Sequence, residues 1–338
     1  MNTFFSASDH AHHCRASCMA HYYTKRYNKK ALPKTTISEV AIINNENYAS
    51  GYGEYKEYVY KKANDLSITL EAYTARQAGG PVVVNIHGGA LTSGDRGSMN
   101  AYFKESLIKA GVTVVSINYR LAPETKLPYI IEDVRDALEW VRKNGAAELG
   151  CDPARLGVTG GSAGGYLTLM AGTFEVKPKA LVSIYGYGDI LGDWYCKPDK
   201  FYCSMPLVSE TDAMKRIGDK EREEGNSGDW YLWTRQNGMW TSLVSGYDIH
   251  RDRAVIEKYC PILNIDENYP PTMLLHGDND TDVPYGLSVD MYNALKEKGL
   301  TVELLTRPGG GHGFDYDYDN PDIRTMLDKA VGFMLKHI

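Results

Sequence analysis

Gly160-Gly161-Ser162-Ala163-Gly164 is the stretch whose residue types and spacing suit nucleophilic chemistry. It follows a short apolar run, Arg155-Leu156-Gly157-Val158, and precedes a helix-like run from Tyr166 to Ala171. Between a strand and a helix, a serine flanked by small residues sits on a turn sharp enough to strain its backbone and lift its hydroxyl above a sheet. The small neighbours let strand and helix approach without a side-chain clash. A Gly-rich turn opening a helix also suits a phosphate. The serine therefore reads as a nucleophile only if the chain supplies a base, an acid and a site for a developing negative charge.

A free serine hydroxyl is a weak nucleophile at neutral pH. His312, in Pro308-Gly309-Gly310-Gly311-His312-Gly313-Phe314, is the candidate base. Its loop follows the last expected strand, and the flanking glycines let the backbone present the imidazole. The candidate acid lies in His276-Gly277-Asp278-Asn279-Asp280-Thr281-Asp282-Val283-Pro284, which also follows an expected strand. Three aspartates compete there, and spacing alone does not choose between Asp278, Asp280 and Asp282. Backbone N–H groups for an oxyanion are expected from Ala163, directly after the serine, and from His87-Gly88-Gly89-Ala90.

The elements that must position these groups follow from periodicity. Glu57 to Tyr60 and Leu66 to Tyr73 read as strands, the second alternating apolar and polar, and together they suggest an antiparallel opening to a sheet. A strand-like pattern also runs from Thr36 to Ile43. Val82 to Ile86, Val112 to Ile117, Ala180 to Ile184 and Thr272 to His276 are near-continuous apolar runs, as in strands buried on both faces. Helices are expected over Tyr102–Ala110, around Ile131, Val134, Leu138 and Val141, around Leu287, Met291 and Leu295, and after the N-cap pair Asn320-Pro321. Gly299 is expected at C′ of the third of these. Strand and helix in alternation predict an α/β class: a mostly parallel sheet with helices on both faces.

The alternation stops near Tyr187. About residues 187–262 are expected to form a mainly helical insertion, carrying Trp194, Trp230, Trp233 and Trp240. The run Asp219-Lys220-Glu221-Arg222-Glu223-Glu224 is expected as a solvated helix face. Residues 1–35 read as a tail or loosely attached segment, with residues 36–338 as one domain. His10, His12, His13, Cys14, Cys18 and His21 crowd that tail but match no zinc spacing, so no metal is expected.

Composition narrows the function classes. The 338 residues carry a net charge of −6, which gives no footprint for nucleic acid. No apolar run is long enough to span a membrane, and the first residues lack the apolar core of a secretory signal. Six cysteines in a chain of this size do not make a disulfide framework, and a cytoplasmic location is expected. Cys196 and Cys203 would be the pair to join in an oxidising compartment.

Taken together, His87-Gly88-Gly89-Ala90, Asn118-Tyr119-Arg120-Leu121-Ala122-Pro123-Glu124, Gly160-Gly161-Ser162-Ala163-Gly164-Gly165, His276-Gly277-Asp278-Asn279-Asp280 and His312-Gly313-Phe314 resemble the α/β-hydrolase carboxylesterases related to hormone-sensitive lipase. The matches run from about residue 80 to 315. The resemblance implies an α/β-hydrolase fold with a cap over the nucleophile, a Ser162–Asp280–His312 triad, and oxyanion donors among Gly88, Gly89, Ala90 and Ala163. It implies a carboxylic-ester hydrolase acting on a small-molecule ester with no cofactor, and a small to medium acyl chain is expected because nothing resembles an exposed apolar lid or lipid anchor. The aromatic insertion resembles the cap, and Trp194, Trp230, Trp233 and Trp240 are its candidate substrate contacts. Arg120 is expected to pair with Asp133 or Glu124.

This chain departs from the family pattern at Ala90, where a third glycine is common, and at Gly161, where the lipase-like branch commonly has aspartate. The H-G-x-x-D-x-x-V-P form is also similar to feruloyl esterases and prolyl-peptidase-like enzymes. A peptidase, another acyl hydrolase such as a lactonase, or a small-molecule-binding protein on the same fold are the alternatives. The chain has no room for the propeller of the prolyl oligopeptidases, and the histidine loop favours an enzyme over a receptor. Oligomeric state is open, with a homodimer as one option.

Overall fold

The computed structural model describes residues 53–338. The expected tail, its histidines with Cys14 and Cys18, and the strand pattern at 36–43 lie outside the described residues.

Eight strands form one sheet: β1 (Tyr55–Ala63), β2 (Leu66–Tyr73), β3 (Val82–Ile86), β4 (Thr113–Ile117), β5 (Leu156–Gly161), β6 (Ala180–Ile184), β7 (Thr272–Gly277) and β8 (Val302–Arg307). Their spatial order is β1-β2-β4-β3-β5-β6-β7-β8. β2 pairs antiparallel with β1 and with β4, and the remaining pairs are parallel. The apolar runs at β3, β4, β6 and β7 are buried along their whole length, because helices cover both faces of the sheet. Those helices are α1 (Ala101–Lys109), α2 (Leu127–Leu149), α3 (Ala163–Ala171), α6 (Gly286–Glu297) and α7 (Pro321–His337). Asn320 caps α7 by accepting from the Asp322 amide, with Pro321 at its first turn. Gly299, at φ +71°, follows the end of α6 as the expected C′ residue.

The topology already selects the site. The chain leaves β3 for β4 on one side and returns to β5 on the other, so the loops after β3 and β5 diverge from neighbouring strand ends. Such a switch point leaves a crevice at the carboxyl edge of a parallel sheet. Ile86 pairs with Gly160 in that register, which sets the His87-Gly88-Gly89-Ala90 loop beside the serine turn.

Between β6 and β7 the chain builds a cap from short helical turns and two longer helices, α4 (Trp230–Asn237) and α5 (Trp240–Ser245). The charged run at 219–224 is not a helix; Asp219, Lys220 and Glu224 are exposed, but Glu221, Arg222 and Glu223 are partly buried. Glu221 binds Arg120 at 3.0 Å and the Thr125 hydroxyl at 3.0 Å. Arg222 donates to Glu124 and to the Thr92 and Ala122 carbonyls. Glu223 accepts from the Thr69 amide and hydroxyl. The central three charges of the run find partners 100 or so residues upstream, which local charge pattern does not reveal.

Arg120 chooses Asp133 over Glu124. Its Nε and Nη2 each donate to the Asp133 carboxylate at 2.8 Å, and Asp133 has no exposed side-chain surface. Lys61 reaches the same carboxylate at 2.9 Å. Among the described residues no helix is long and apolar enough to cross a membrane, and Cys151, Cys196, Cys203 and Cys260 are all unpaired.

Removing the buried member of an ion pair leaves its partner undercompensated, and Arg120 would keep only the partly exposed Glu221. Asp133→Ala should therefore lower unfolding free energy in urea by about 3–5 kcal/mol. A loss under about 1 kcal/mol would place the pair with weak surface bridges instead.

Candidate active site

Ser162 sits between β5 and α3 with φ 57° and ψ −122°, a conformation that costs a non-glycine residue about 1–3 kcal/mol. The strain is imposed by close packing. A side chain on Gly164 would run into the Ile86 carbonyl oxygen, and one on Gly160 would come within 2.5 Å of the same oxygen. Strand β3, strand β5 and helix α3 meet there with no space between backbones.

His312 is placed by the loop after β8. Its Nε2 lies 3.0 Å from Ser162 Oγ, and its Nδ1 lies 2.7 Å from Asp280 Oδ2. With Nδ1 protonated, Nδ1–H donates to the carboxylate and Nε2 accepts from the serine hydroxyl. The Asp280 side chain has no exposed surface and both its oxygens are engaged. Its Oδ1 accepts from the Asp282 and Val283 amides at 2.8 and 3.0 Å. Its Oδ2 also faces His276 Nε2 at 3.2 Å, and His276 is itself fixed by Ser288 at 2.7 Å.

The three aspartates separate cleanly. Asp280 meets His312. Asp278 instead accepts from the Gly309 amide at 2.6 Å and so ties the acid loop to the histidine loop. Asp282 turns towards the cap, where Tyr202, Tyr231 and Arg235 donate to it.

The loop after β3 has its carbonyls tied down. His87 O accepts from Tyr119, Gly89 O from the Thr92 and Ser93 amides, Ala90 O from Trp240 Nε1, Leu91 O from the Ala122 amide, and Thr92 O from Arg222. Gly89, Ala90 and Leu91 all have positive φ, at 103°, 56° and 63°. The amides of Gly88, Gly89, Ala90 and Ala163 have no acceptor among the described residues. Anchored carbonyls and free N–H groups beside a serine are what an oxyanion requires. Ala90 adopts the left-handed conformation although it is not glycine, so the missing third glycine leaves the loop's shape intact.

Gly161 is explained by Tyr185. A side chain at 161 would meet the Tyr185 ring at 3.1–3.4 Å. That ring is buried, lies 4.6 Å from the His312 ring, and donates its hydroxyl to Asp315 at 2.5 Å. Asn100 Nδ2 bonds Asp315 from the other side at 3.1 Å. The space that an aspartate would need before the serine is filled by this tyrosine, which supports the imidazole from below.

The four cap tryptophans divide. Trp230 and Trp240 are 1% and 0% exposed, so they are core and not the walls of an open pocket. Trp240 stacks on Tyr195 at 3.9 Å and holds the Ala90 carbonyl. Trp194 and Trp233 are partly exposed. Arg235, Arg222, Tyr185 and Asp315 were not among the expected site residues, and Asp282 was weighed there only as a rival acid. Asp282 and the charge run around Arg222 were visible, but their partners are distant in sequence.

Electrostatics concentrate on one imidazole. Burial pulls the His312 pKa down, but the carboxylates of Asp280, Asp282 and Asp315 outweigh it and raise it from 6.5 to about 9. Burial likewise opposes ionisation of Asp280, yet the charge of His312 and hydrogen bonds from His276 and His312 hold its carboxyl well below the usual range. Burial raises the Asp315 carboxyl despite its bonds from Tyr185 and Asn100.

Residues 83–316 match the profile of a family described as alpha/beta hydrolase fold. Among characterised relatives, the chain is 27% identical to Esterase LipC of Mycobacterium tuberculosis over 70% of this chain and 53% of that protein. It is 46% identical to Carboxylesterase NlhH of the same species over a shorter stretch, 26% of this chain and 27% of that one. The chain thus spans about half the length, or less, of these curated relatives. Esterase B from Lactobacillus rhamnosis shares the fold, with a TM-score of 0.61 at 20% identity, covering 95% of this chain and 92% of that one.

Followed by NMR, the His312 imidazole should titrate near pH 9, and because only the neutral ring can accept the Ser162 proton, any turnover that uses it as base should rise with pH towards that midpoint. Anions stabilise the imidazolium, so Asp280→Asn should move that midpoint down. A midpoint at or below 6.5 in the unaltered protein would contradict the charge arrangement.

Proposed function

The chain belongs to the alpha/beta hydrolase fold family, and on that premise we propose that it is a carboxylic-ester hydrolase working through an acyl-enzyme on Ser162. The observation that carries the reading is the unbroken relay Asp280–His312–Ser162, at 2.7 and 3.0 Å, ending beside a loop with free amides.

His312 takes the Ser162 proton as the hydroxyl attacks the ester carbonyl. Asp280 holds the imidazole tautomer and stabilises the imidazolium. The amides of Gly89, Ala90 and Ala163 receive the oxyanion, with Gly88 completing the loop's approach to the serine. His312 then protonates the departing alcohol, and water cleaves the acyl-enzyme by the reverse path. No step calls on a cofactor or metal. Small to medium acyl esters are the proposed substrates, in keeping with a cap tied down by buried rings and ion pairs. Of the four tryptophans, Trp194 and Trp233 remain candidates for contact with substrate. We also assign a cytoplasmic location, in keeping with four unpaired cysteines.

A panel of p-nitrophenyl esters of increasing acyl length tests the proposal. The unaltered protein should turn over the shorter esters, and Ser162→Ala should not exceed the buffer rate appreciably. Asp280→Asn should lower kcat by about 10⁴, the cost of losing the tautomer lock, whereas Asp278→Asn should cost less than about tenfold. Turnover that survives Ser162→Ala, or the reverse ranking of the two aspartates, would refute the assignment.

A further inference from the structure

Asp282 plays no part in the relay, yet its carboxylate is held asymmetrically at the edge of it. Oδ1 accepts from the Tyr202 hydroxyl at 2.7 Å, the Tyr231 hydroxyl at 2.7 Å and Arg235 Nη1 at 2.8 Å. Arg235 has no exposed side-chain surface, also binds the Asp282 carbonyl at 3.2 Å, and is ringed by Trp194, Tyr195, Tyr202 and Tyr231. Oδ1 is therefore saturated and fixed. Oδ2 receives no hydrogen bond among the described residues and stands 3.5 Å from His312 Nε2. The side chain is 12% exposed, and Oδ2 is the carboxylate oxygen left without a protein donor, open to whatever occupies the space beside Nε2.

The position of Oδ2 identifies what it meets. Nε2 is the atom that returns a proton to the leaving alcohol, so the ester's alkoxy oxygen must come within hydrogen-bond reach of it. An acceptor beside Nε2 borders the alcohol half of the substrate and not the acyl chain. Vicinal oxygens of a gauche diol lie within hydrogen-bond distance of each other. A leaving oxygen at Nε2 and its neighbouring hydroxyl at Oδ2 would thus occupy adjacent sites.

We propose that Asp282 Oδ2 accepts a hydrogen bond from a hydroxyl on the carbon next to the ester-bearing carbon, making the protein selective for esters of diols and polyols. This rests on the ester-hydrolase reading above. A simple alkyl alcohol displaces water from Oδ2 without replacing its hydrogen bond and sets that charge against the lone pairs of the ester oxygen, which disfavours it. Arg235 offsets the charge of Asp282 only in part, because it also binds Asp199 at 3.1 Å, so a cationic alcohol is the competing occupant that the test must exclude.

The test compares initial rates on ethylene glycol monoacetate, on its methyl ether methoxyethyl acetate, and on acetylcholine, with p-nitrophenyl acetate run in parallel. The methyl ether keeps the inductive effect and removes only the donor. In the unaltered protein kcat/KM should be at least about tenfold higher on the glycol ester than on the ether, as expected for one hydrogen bond to a charged acceptor. In Asp282→Asn, an amide donor can replace Oδ2 while the other oxygen keeps its three partners, and the ratio should fall towards one. A ratio near one in the unaltered protein, a ratio unchanged in Asp282→Asn, or a faster reaction with acetylcholine would each overturn the proposal. Turnover of p-nitrophenyl acetate without the glycol preference overturns this inference alone. No turnover of any ester overturns the esterase reading with it.

Discussion

The close contact of three backbones under Ser162 is the constraint on which the site depends. Strand β3, strand β5 and helix α3 touch at Ile86, Gly160 and Gly164 with no room for a side chain. That contact holds the serine in a strained conformation and sets the loop after β3 against the serine turn. The strain persists because the surrounding sheet and helix leave no alternative path for the chain. A hydroxyl raised above the sheet and free amides beside it both follow from this one junction.

The second layer is electrostatic. Three carboxylates, from the loop after β7 and the turn after His312, surround a single imidazole whose ring rests on Tyr185. Each carboxylate is held by its own donors. Backbone amides and His276 hold Asp280, Tyr185 and Asn100 hold Asp315, and the cap holds Asp282. The cap is therefore part of the site's charge balance as well as its cover. Through Arg222 and Trp240 it also fixes the carbonyls of the loop that presents free amides.

Much of this was legible before the structure. Apolar runs such as Val82–Ile86 declare buried strands because a strand covered on both faces has no polar side. The serine turn, the glycine-flanked His312 and the His87-Gly88-Gly89 loop are local patterns, and each keeps its meaning within a few residues. Choosing Asp280 over Asp278 and Asp282 was beyond spacing and came only with the family resemblance. What stayed hidden depends on pairing across the chain. Arg222 sits in a charge run that reads as a solvated helix, yet its partners Glu124 and Thr92 are far upstream. Gly161 reads as a departure from pattern until Tyr185, from the end of another strand, is seen to fill its space. Trp230 and Trp240 look like pocket walls by type, but burial makes them the core of the cap.

The central claim is that this geometry makes one serine hydroxyl a nucleophile. It is tested most directly by treating the folded protein with a fluorophosphonate and locating the adduct by peptide mass mapping. The account predicts a single stoichiometric adduct on Ser162 that is lost when the protein is unfolded first or when His312 is replaced by alanine. An absence of adduct on the folded protein, or modification at another residue with Ser162 untouched, would contradict it.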